Sequence, residues 1–196
     1  MNTNNTVDKT YISAQSLLED SFRLGYQILA SGFTPAMIAG VWRGGTPIGI
    51  AVQEILDYHG VKADHIAIRT SSYHGMEQQK IVRVHGLEYL IENLNAEDSL
   101  LLVDDVFDSG RSLKAIIAEL QRRCRRNLPE VIRIATVYYK PQRNTTDLAP
   151  DYFLRVTDDW LVFPHEIHGL RPAEILERKG LNLAALEASA GRPTVR

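Results

Sequence analysis

The sequence has one cysteine, little net charge and no long hydrophobic run, and each shortage excludes a class of protein. Cys124 is the only cysteine among 196 residues, which excludes an intramolecular disulfide framework and fits a reducing compartment. The formal net charge of -2 gives no long-range attraction for nucleic acid or an anionic membrane. No apolar run is long enough to span a bilayer, and the N-terminal residues lack the apolar stretch of a secretory signal. We therefore expect a cytoplasmic protein with no membrane partner.

The composition that remains is that of an ordinary globular protein, with 44% hydrophobic and 23% charged residues. A chain of this length can bury a sizeable core within one domain. The sequence contains no internal repeat, low-complexity segment or linker. We therefore predict a single domain over residues 1–196.

Short apolar runs alternate along the chain with segments of helical periodicity. This alternation predicts an α/β fold, in which a mainly parallel sheet is flanked by helices. In such sheets ligands bind beyond the carboxyl ends of the strands. The predicted strands are Ala36–Val41, His65–Arg69, Leu100–Val103, Val131–Tyr139, Tyr152–Val156 and Trp160–Phe163, and the predicted helices are Ser13–Ser31, Thr46–Tyr58, Leu87–Asn93, a segment carrying Leu113 to Leu120, and Arg171–Ala188.

Some finer features are also expected from local patterns. Thr46 precedes Pro47 and is predicted to cap the second helix. The polar segment Thr70–Arg83 predicts either a long mobile loop or a loose hairpin. In the first helix, Leu18, Phe22 and Leu29, with Gly25 between them, are predicted to share one face. In the last helix, Leu176, Leu183 and Leu186 are predicted to face inward.

The most informative motif follows the strand Leu100–Val103. There the chain reads Asp-Asp-Val-Phe-Asp-Ser-Gly-Arg-Ser, from Asp104 to Ser112, and a helix begins. A hydroxyl-glycine turn at a helix N-terminus offers free backbone N–H groups to a phosphate, and Arg111 adds a cation. The acidic pair Asp104 and Asp105 can hold sugar hydroxyls, directly or through Mg²⁺, which prefers oxygen ligands. A phosphorylated sugar bound with a divalent metal would need both the acidic pair and the phosphate turn. An acidic turn that is merely exposed to solvent would not need a phosphate turn beside it.

This run closely resembles the phosphoribosyl pyrophosphate motif of the type I phosphoribosyltransferases. The resemblance implies that Ser109, Gly110, Arg111 and Ser112 bind the 5′-phosphate of phosphoribosyl pyrophosphate. It implies that Asp104 and Asp105 contact the ribose and Mg²⁺. It also places Asp108 near N7 of the base, where it would accept a proton as N9 attacks.

Further segments resemble the same family, in the right order, over roughly Ala36 to Gly169. Arg43 and Gly44 lie in a Trp-Arg-Gly-Gly run that resembles the family's pyrophosphate loop, in which the peptide entering the first glycine is often cis. Ser72 and Tyr73 resemble the start of the flexible loop that closes over the site. The resemblance points to the 6-oxopurine branch of the family, with a small base-binding hood.

The residues implied to bind the base lie in the C-terminal half. Lys140 follows a predicted strand, and its ammonium could donate to the exocyclic oxygen of a 6-oxopurine. By resemblance, Trp160 stacks on the purine and the backbone of Leu161 reads the purine's edge. Glu166 lies where the family has a carboxylate that helps hold a second Mg²⁺, although aspartate is commoner there.

The predicted activity is therefore the Mg²⁺-dependent transfer of a phosphoribosyl group to a 6-oxopurine in purine salvage. Hypoxanthine and guanine are the first candidates, with xanthine close behind. The family commonly forms dimers or tetramers, so a homo-oligomer is expected.

Other patterns in the sequence support rival interpretations only weakly. The histidines of His165-Glu-Ile-His168 lack the helical spacing of a zinc motif. The basic run Arg122–Arg126 could bind nucleic acid, as in a protein that senses phosphoribosyl pyrophosphate, yet cations are common at a helix end. A phosphohydrolase with Asp104 as nucleophile would have no need of Lys140 or Trp160.

Overall fold

The computed structural model describes residues 9–74 and 80–190, and for residues 72–74, 80 and 81 it describes the backbone alone. The chain divides into a large unit, Leu17–Asp158, and a small unit formed by the segments on either side of it. The described strands are β1 (Lys9–Tyr11), β2 (Met37–Trp42), β3 (Asp64–His74), β4 (Lys80–His85), β5 (Ser99–Phe107), β6 (Val131–Tyr139), β7 (Tyr152–Val156) and β8 (Trp160–Val162), and the helices are α1 (Ala14–Ala30), α2 (Gly45–Tyr58), α3 (Glu88–Asn93), α4 (Arg111–Cys124), α5 (Pro172–Lys179) and α6 (Leu183–Ala190).

The large unit contains a six-stranded sheet in the order β4-β3-β2-β5-β6-β7. All neighbouring strands are parallel except β3 and β4, which are antiparallel. Successive side chains of a strand point to opposite faces. In β5, Leu100 and Leu102 belong to a core cluster with residues of α3 and α4, whereas Val103 lies on the other face, close to α2. The predicted α/β fold, with a mainly parallel sheet covered on both faces, is confirmed.

The strand predictions are accurate for β6 and β7, and β5 is longer than predicted. The apolar run Leu100–Val103 is fully buried, but pairing with β6 continues through Asp104 to Phe107. Main-chain hydrogen bonds do not require apolar side chains, so a strand can extend beyond its hydrophobic run. The acidic pair is consequently part of the strand.

The hairpin alternative is correct for the polar segment. Backbone pairing of β3 with β4 is antiparallel, with Ser72 opposite Val82 and Tyr73 opposite Ile81. Ser72 and Tyr73, predicted to start a loop, therefore lie in a strand. Residues 75–79, which the loop prediction also covered, lie outside the described part of the chain.

The predicted inward face of α1 is wrong at Leu18 alone, since Gly25 is buried and Phe22 and Leu29 are half-buried. Helix α1 buries Leu17, Leu24 and Ile28, and Leu18 remains 45% exposed. Gly25 of α1 packs against Ile55 of α2, where a Cβ would lie 3.0 Å from the Ile55 Cβ. This close approach fixes which side of α1 faces inward, which periodicity of apolar residues alone does not reveal.

The small unit contains the two-stranded parallel sheet of β1 and β8, followed by α5 and α6. The single helix predicted over Arg171–Ala188 is wrong, because Gly180 adopts a φ of 67° and ends α5. Ile175 is buried, whereas Leu176 and Leu186, both predicted to face inward, are more than half exposed. No helix in the described residues is both long and apolar enough to cross a membrane.

Candidate active site

The acidic pair lies at the carboxyl end of β5, where it is half-buried. The backbone N–H of Asp105 donates to Asp104 Oδ1 at 3.0 Å, and the N–H of Val106 donates to Asp105 Oδ1 at 2.8 Å. Burial, and then the neighbouring Asp105 carboxylate, raise the pKa of Asp104 well above its ordinary value. Two carboxylates held this close repel each other, and a bound cation would relieve that repulsion.

The loop after β2 packs directly on the acidic pair. A Cβ at Gly44 would overlap the carboxylate of Asp105, and a Cβ at Gly45 would overlap the carbonyl oxygen of Val103. At Gly45 the clash is with backbone atoms, so that position has room only for glycine, whereas a side chain at Gly44 would displace the Asp105 carboxylate. The cis peptide of the loop joins Trp42 to Arg43, one bond earlier than the resemblance implies. Since β2 and β5 are neighbours, the structure brings the predicted pyrophosphate loop, with Arg43 and Gly44, against Asp104 and Asp105.

Helix α2 begins earlier than predicted. Gly44 occupies the N-cap position and the helix starts at Gly45, so Thr46 is not the cap. The hydroxyl of Thr46 is instead buried, with no hydrogen-bond partner among the described residues. The tight contact of the two glycines with β5 sets this early start.

The predicted phosphate turn lies between β5 and α4. Gly110 has a φ of 74° and occupies the N-cap position of α4, with no side-chain cap in the described structure. The backbone N–H groups of the first turn are therefore available to an anion. Next to them lies a cavity of about 80 Å³, which is lined by Asp104, Val106, Phe107, Asp108, Ser109, Gly110, Arg111, Ser112 and Leu113.

Asp108 has two cationic side chains beside it. Arg143 Nε lies 3.1 Å from Asp108 Oδ1, and Lys140 Nζ lies 3.9 Å from Asp108 Oδ2. Lys140 is only 4% exposed, so it is not the surface lysine that a polar strand end would favour. The predicted base-binding lysine and the predicted proton acceptor therefore lie side by side. Sequence analysis missed Arg143, because no pattern in Lys140-Pro-Gln-Arg143 shows that the chain turns back toward Asp108.

The remaining predicted residues belong to the small unit. Trp160 and Leu161 lie in β8, opposite Lys9 and Thr10 of β1. Trp160 is 53% exposed and Leu161 is buried, so the indole ring is accessible, as a stacking role requires. That role and the backbone role of Leu161 stay predictions.

Glu166 is engaged within its own turn, where its Oε2 accepts the N–H of Phe163 at 3.0 Å. In the ranges 9–74 and 80–190, no group of three or more His, Cys, Asp or Glu side chains could hold a metal by itself. Mg²⁺ often uses only one or two carboxylates together with substrate phosphates. The pair Asp104 and Asp105 fits that requirement, and the metal role of Glu166 stays a prediction.

Comparison with known proteins agrees with this geometry. The model of the phosphoribosyl transferase domain family matches residues 10–168. A hypoxanthine-guanine phosphoribosyltransferase from Lactococcus lactis is 26% identical over 156 residues, which are 77% of this chain and 78% of that protein. A xanthine-guanine phosphoribosyltransferase from Cereibacter sphaeroides is 25% identical and covers 66% of this chain and 68% of its own. The crystal structure of a purine phosphoribosyltransferase from Pyrococcus horikoshii has a TM-score of 0.64 and 25% identity, covering 84% of this chain and 97% of its own.

Proposed function

The chain belongs to the phosphoribosyl transferase family, and we propose that it transfers the 5-phosphoribosyl group of phosphoribosyl pyrophosphate to a 6-oxopurine, releasing pyrophosphate. One observation carries the proposal. The acidic pair, the glycine loop and the open first turn of α4 meet at one edge of the sheet. This edge offers separate groups for the pyrophosphate, the ribose and the 5′-phosphate of one substrate.

The choice of base rests on Lys140 and on the relatives. A 6-oxopurine presents an oxygen acceptor at the position where adenine presents an amino group, and an ammonium can donate only to the former. Lys140 is a buried cation beside Asp108. The matched curated relatives are named for hypoxanthine, guanine and xanthine. We propose hypoxanthine and guanine as the first substrates, with xanthine as a further candidate.

We further propose that the reaction depends on Mg²⁺, held by Asp104 and Asp105 with Glu166 as a candidate for a second ion. A bound Mg²⁺ would neutralise charge on the leaving pyrophosphate. The half-buried position of Asp104 beside Asp105 supports the proposal. Burial and then the neighbouring carboxylate raise the pKa of Asp104, and a hard cation would stabilise both charges.

In the proposed mechanism, the bond from C1 of the ribose to pyrophosphate breaks as the bond from C1 to N9 of the base forms. The transition state has the character of a sugar cation, as glycosyl transfer generally does. The glycine loop would bind the departing pyrophosphate and the α4 turn would bind the 5′-phosphate, which fixes both ends of the sugar. Asp108 would accept the proton from N7, and Lys140 would donate to the exocyclic oxygen.

Replacing Lys140 with methionine is expected to lower kcat/KM for hypoxanthine by about 10- to 100-fold, since a hydrogen bond from a charged group contributes about 1.5–3 kcal/mol. Affinity for phosphoribosyl pyrophosphate, measured by calorimetry, should change little. Lys62→Ala removes an exposed lysine whose side chain pairs with Asp57, and it serves as the control. If Lys140→Met and wild type have equal kcat/KM for hypoxanthine, Lys140 does not bind the base.

The decisive test of the function is pyrophosphate release with Mg²⁺, phosphoribosyl pyrophosphate and one base at a time. Hypoxanthine, guanine, xanthine and adenine should be compared at equal concentration. We expect release with at least one 6-oxopurine and little with adenine. Omission of Mg²⁺, with chelator present, tests the metal separately. No release with any of the four bases contradicts the proposed function.

A further inference from the structure

A short segment after Lys140 is attached to the phosphate turn at several points. We call residues 141–147 the clamp segment. It begins where β6 ends, since the N–H of Lys140 still donates to the carbonyl of Phe107 at 2.9 Å. A single 3-10 turn, Pro141–Arg143, then reverses the chain. The segment is thereby brought back beside the residue that follows Phe107, which is Asp108.

The clamp segment contacts the phosphate turn through main chain and side chains. Thr145 donates to the carbonyl of Ser109 twice, from its N–H at 3.2 Å and from its hydroxyl at 3.1 Å. Arg111 Nε donates to the same hydroxyl at 3.1 Å. A Cβ at Gly110 would lie 2.5 Å from Thr146 Oγ1, so the two segments are in direct contact. The position of Arg143 relative to the turn is therefore set by its own neighbours in the chain.

Arg143 is the cation that fixes the direction of the Asp108 carboxylate. Its Nε forms an ion pair with Oδ1 at 3.1 Å, whereas Lys140 Nζ lies further away, at 3.9 Å from Oδ2. The side chains of Asp108 and Arg143 are 37% and 47% exposed. An ion pair this exposed adds little to stability, so stability does not account for it.

We propose that Arg143 is a positioning residue for the transfer reaction, which orients the carboxylate of Asp108 toward the base. The clamp segment holds Arg143 in place and ties it to the phosphate turn. This inference rests on the proposed function and adds a residue to it. A carboxylate with one oxygen bound presents its other oxygen in a fixed direction, and orientation of a reacting group to within about 1 Å can account for a hundredfold in rate.

The test compares Arg143→Ala, Arg143→Lys and Asp108→Asn with the double variant that combines Asp108→Asn and Arg143→Ala. We expect Arg143→Ala to lower kcat by about 10- to 100-fold with KM for phosphoribosyl pyrophosphate within about threefold of wild type, because positioning of a reacting group is lost while substrate binding is kept. Arg143→Lys, which keeps the charge, should recover part of the loss. Arg126→Ala removes an exposed arginine from the 3-10 turn that follows α4 and should leave kcat unchanged.

The double variant shows whether Arg143 acts through Asp108. If it does, adding Arg143→Ala to Asp108→Asn should lower kcat by less than about threefold, since coupled residues are not additive. Losses that multiply would mean that Arg143 acts elsewhere and would overturn the inference, as would wild-type kcat in Arg143→Ala. If the wild-type protein releases no pyrophosphate with any purine base, the proposed function and the inference both fail. If the wild type is active and Arg143→Ala has the same kcat, the inference about Arg143 is wrong and the proposed function stands.

Discussion

Asp108→Asn is expected to lower kcat by about two to four orders of magnitude, the range typical of losing a general base. The asparagine side chain has nearly the same shape and keeps an oxygen that can face Arg143, so the turn should keep its conformation. It cannot take up a proton from N7 of the purine. The loss should therefore appear in turnover, with phosphoribosyl pyrophosphate still bound. Steady-state kinetics and calorimetry on the same preparation measure the two quantities.

A matched control separates this effect from the loss of any exposed carboxylate. Asp57 lies in the last turn of α2, where its side chain is 39% exposed and pairs with Lys62 at 3.3 Å. Asp57→Asn should retain wild-type kcat. Should Asp108→Asn turn over as fast as Asp57→Asn, Asp108 is not the proton acceptor, although it could still line the site.

The meeting of the acidic pair with the glycine loop is the part of the site that could be predicted from sequence. Both motifs follow apolar runs, and the carboxyl ends of parallel strands lie at one edge of a sheet. The relevant strands, β2 and β5, prove to be neighbours. The prediction holds because it depends on strand direction and hydrophobic runs, which are local and strongly encoded.

The position of the clamp segment could not be predicted, because it depends on contacts that are not local in the sequence. Its position depends on one 3-10 turn after Lys140 and on hydrogen bonds between Thr145 and Ser109, which are 36 residues apart in the chain. Polar residues such as those of Asn144-Thr145-Thr146 are typical of any exposed loop. Their partners are determined by tertiary contacts, so the pairing of Arg143 with Asp108 has no signal in the sequence alone.

The C-terminal helices show a different limit. The apolar residues Leu176, Leu183 and Leu186 have a spacing compatible with one helix, but Gly180 breaks it. Glycine is strongly favoured just after a helix, in a left-handed conformation, and this signal outweighs weak periodicity. In the phosphate turn, by contrast, Gly110 adopts a φ of 74° at the N-cap of α4. No side chain caps α4 there in the described structure, so the first-turn N–H groups are open, as a phosphate-binding role requires.

Gly45→Ala should both destabilise the protein and weaken its binding of phosphoribosyl pyrophosphate. The added Cβ would overlap the carbonyl oxygen of Val103 and lie 2.8 Å from the Cα of Asp104. Both are backbone atoms of a buried strand, which cannot move aside as a flexible side chain could. Overpacking of this kind costs about 1–3 kcal/mol, and here it also pushes the glycine loop away from the acidic pair.

Gly49 supplies the matched control, since it lies one turn further along the same helix. A Cβ there would meet only ordinary contacts, at 3.8 Å from Gly40 Cα and 3.9 Å from Val103 Cβ. Replacing a helical glycine with alanine, where there is room, stabilises by about 0.4–1 kcal/mol through the unfolded chain. In urea, the free energy of unfolding should therefore be lower than that of wild type for Gly45→Ala and higher for Gly49→Ala.

Titration with phosphoribosyl pyrophosphate and Mg²⁺ should show weaker binding, by about tenfold or more, for Gly45→Ala alone, because its loop no longer fits the substrate's pyrophosphate. If Gly45→Ala has the same free energy of unfolding and the same substrate affinity as Gly49→Ala, the glycine loop does not pack on the acidic pair and is not part of the site.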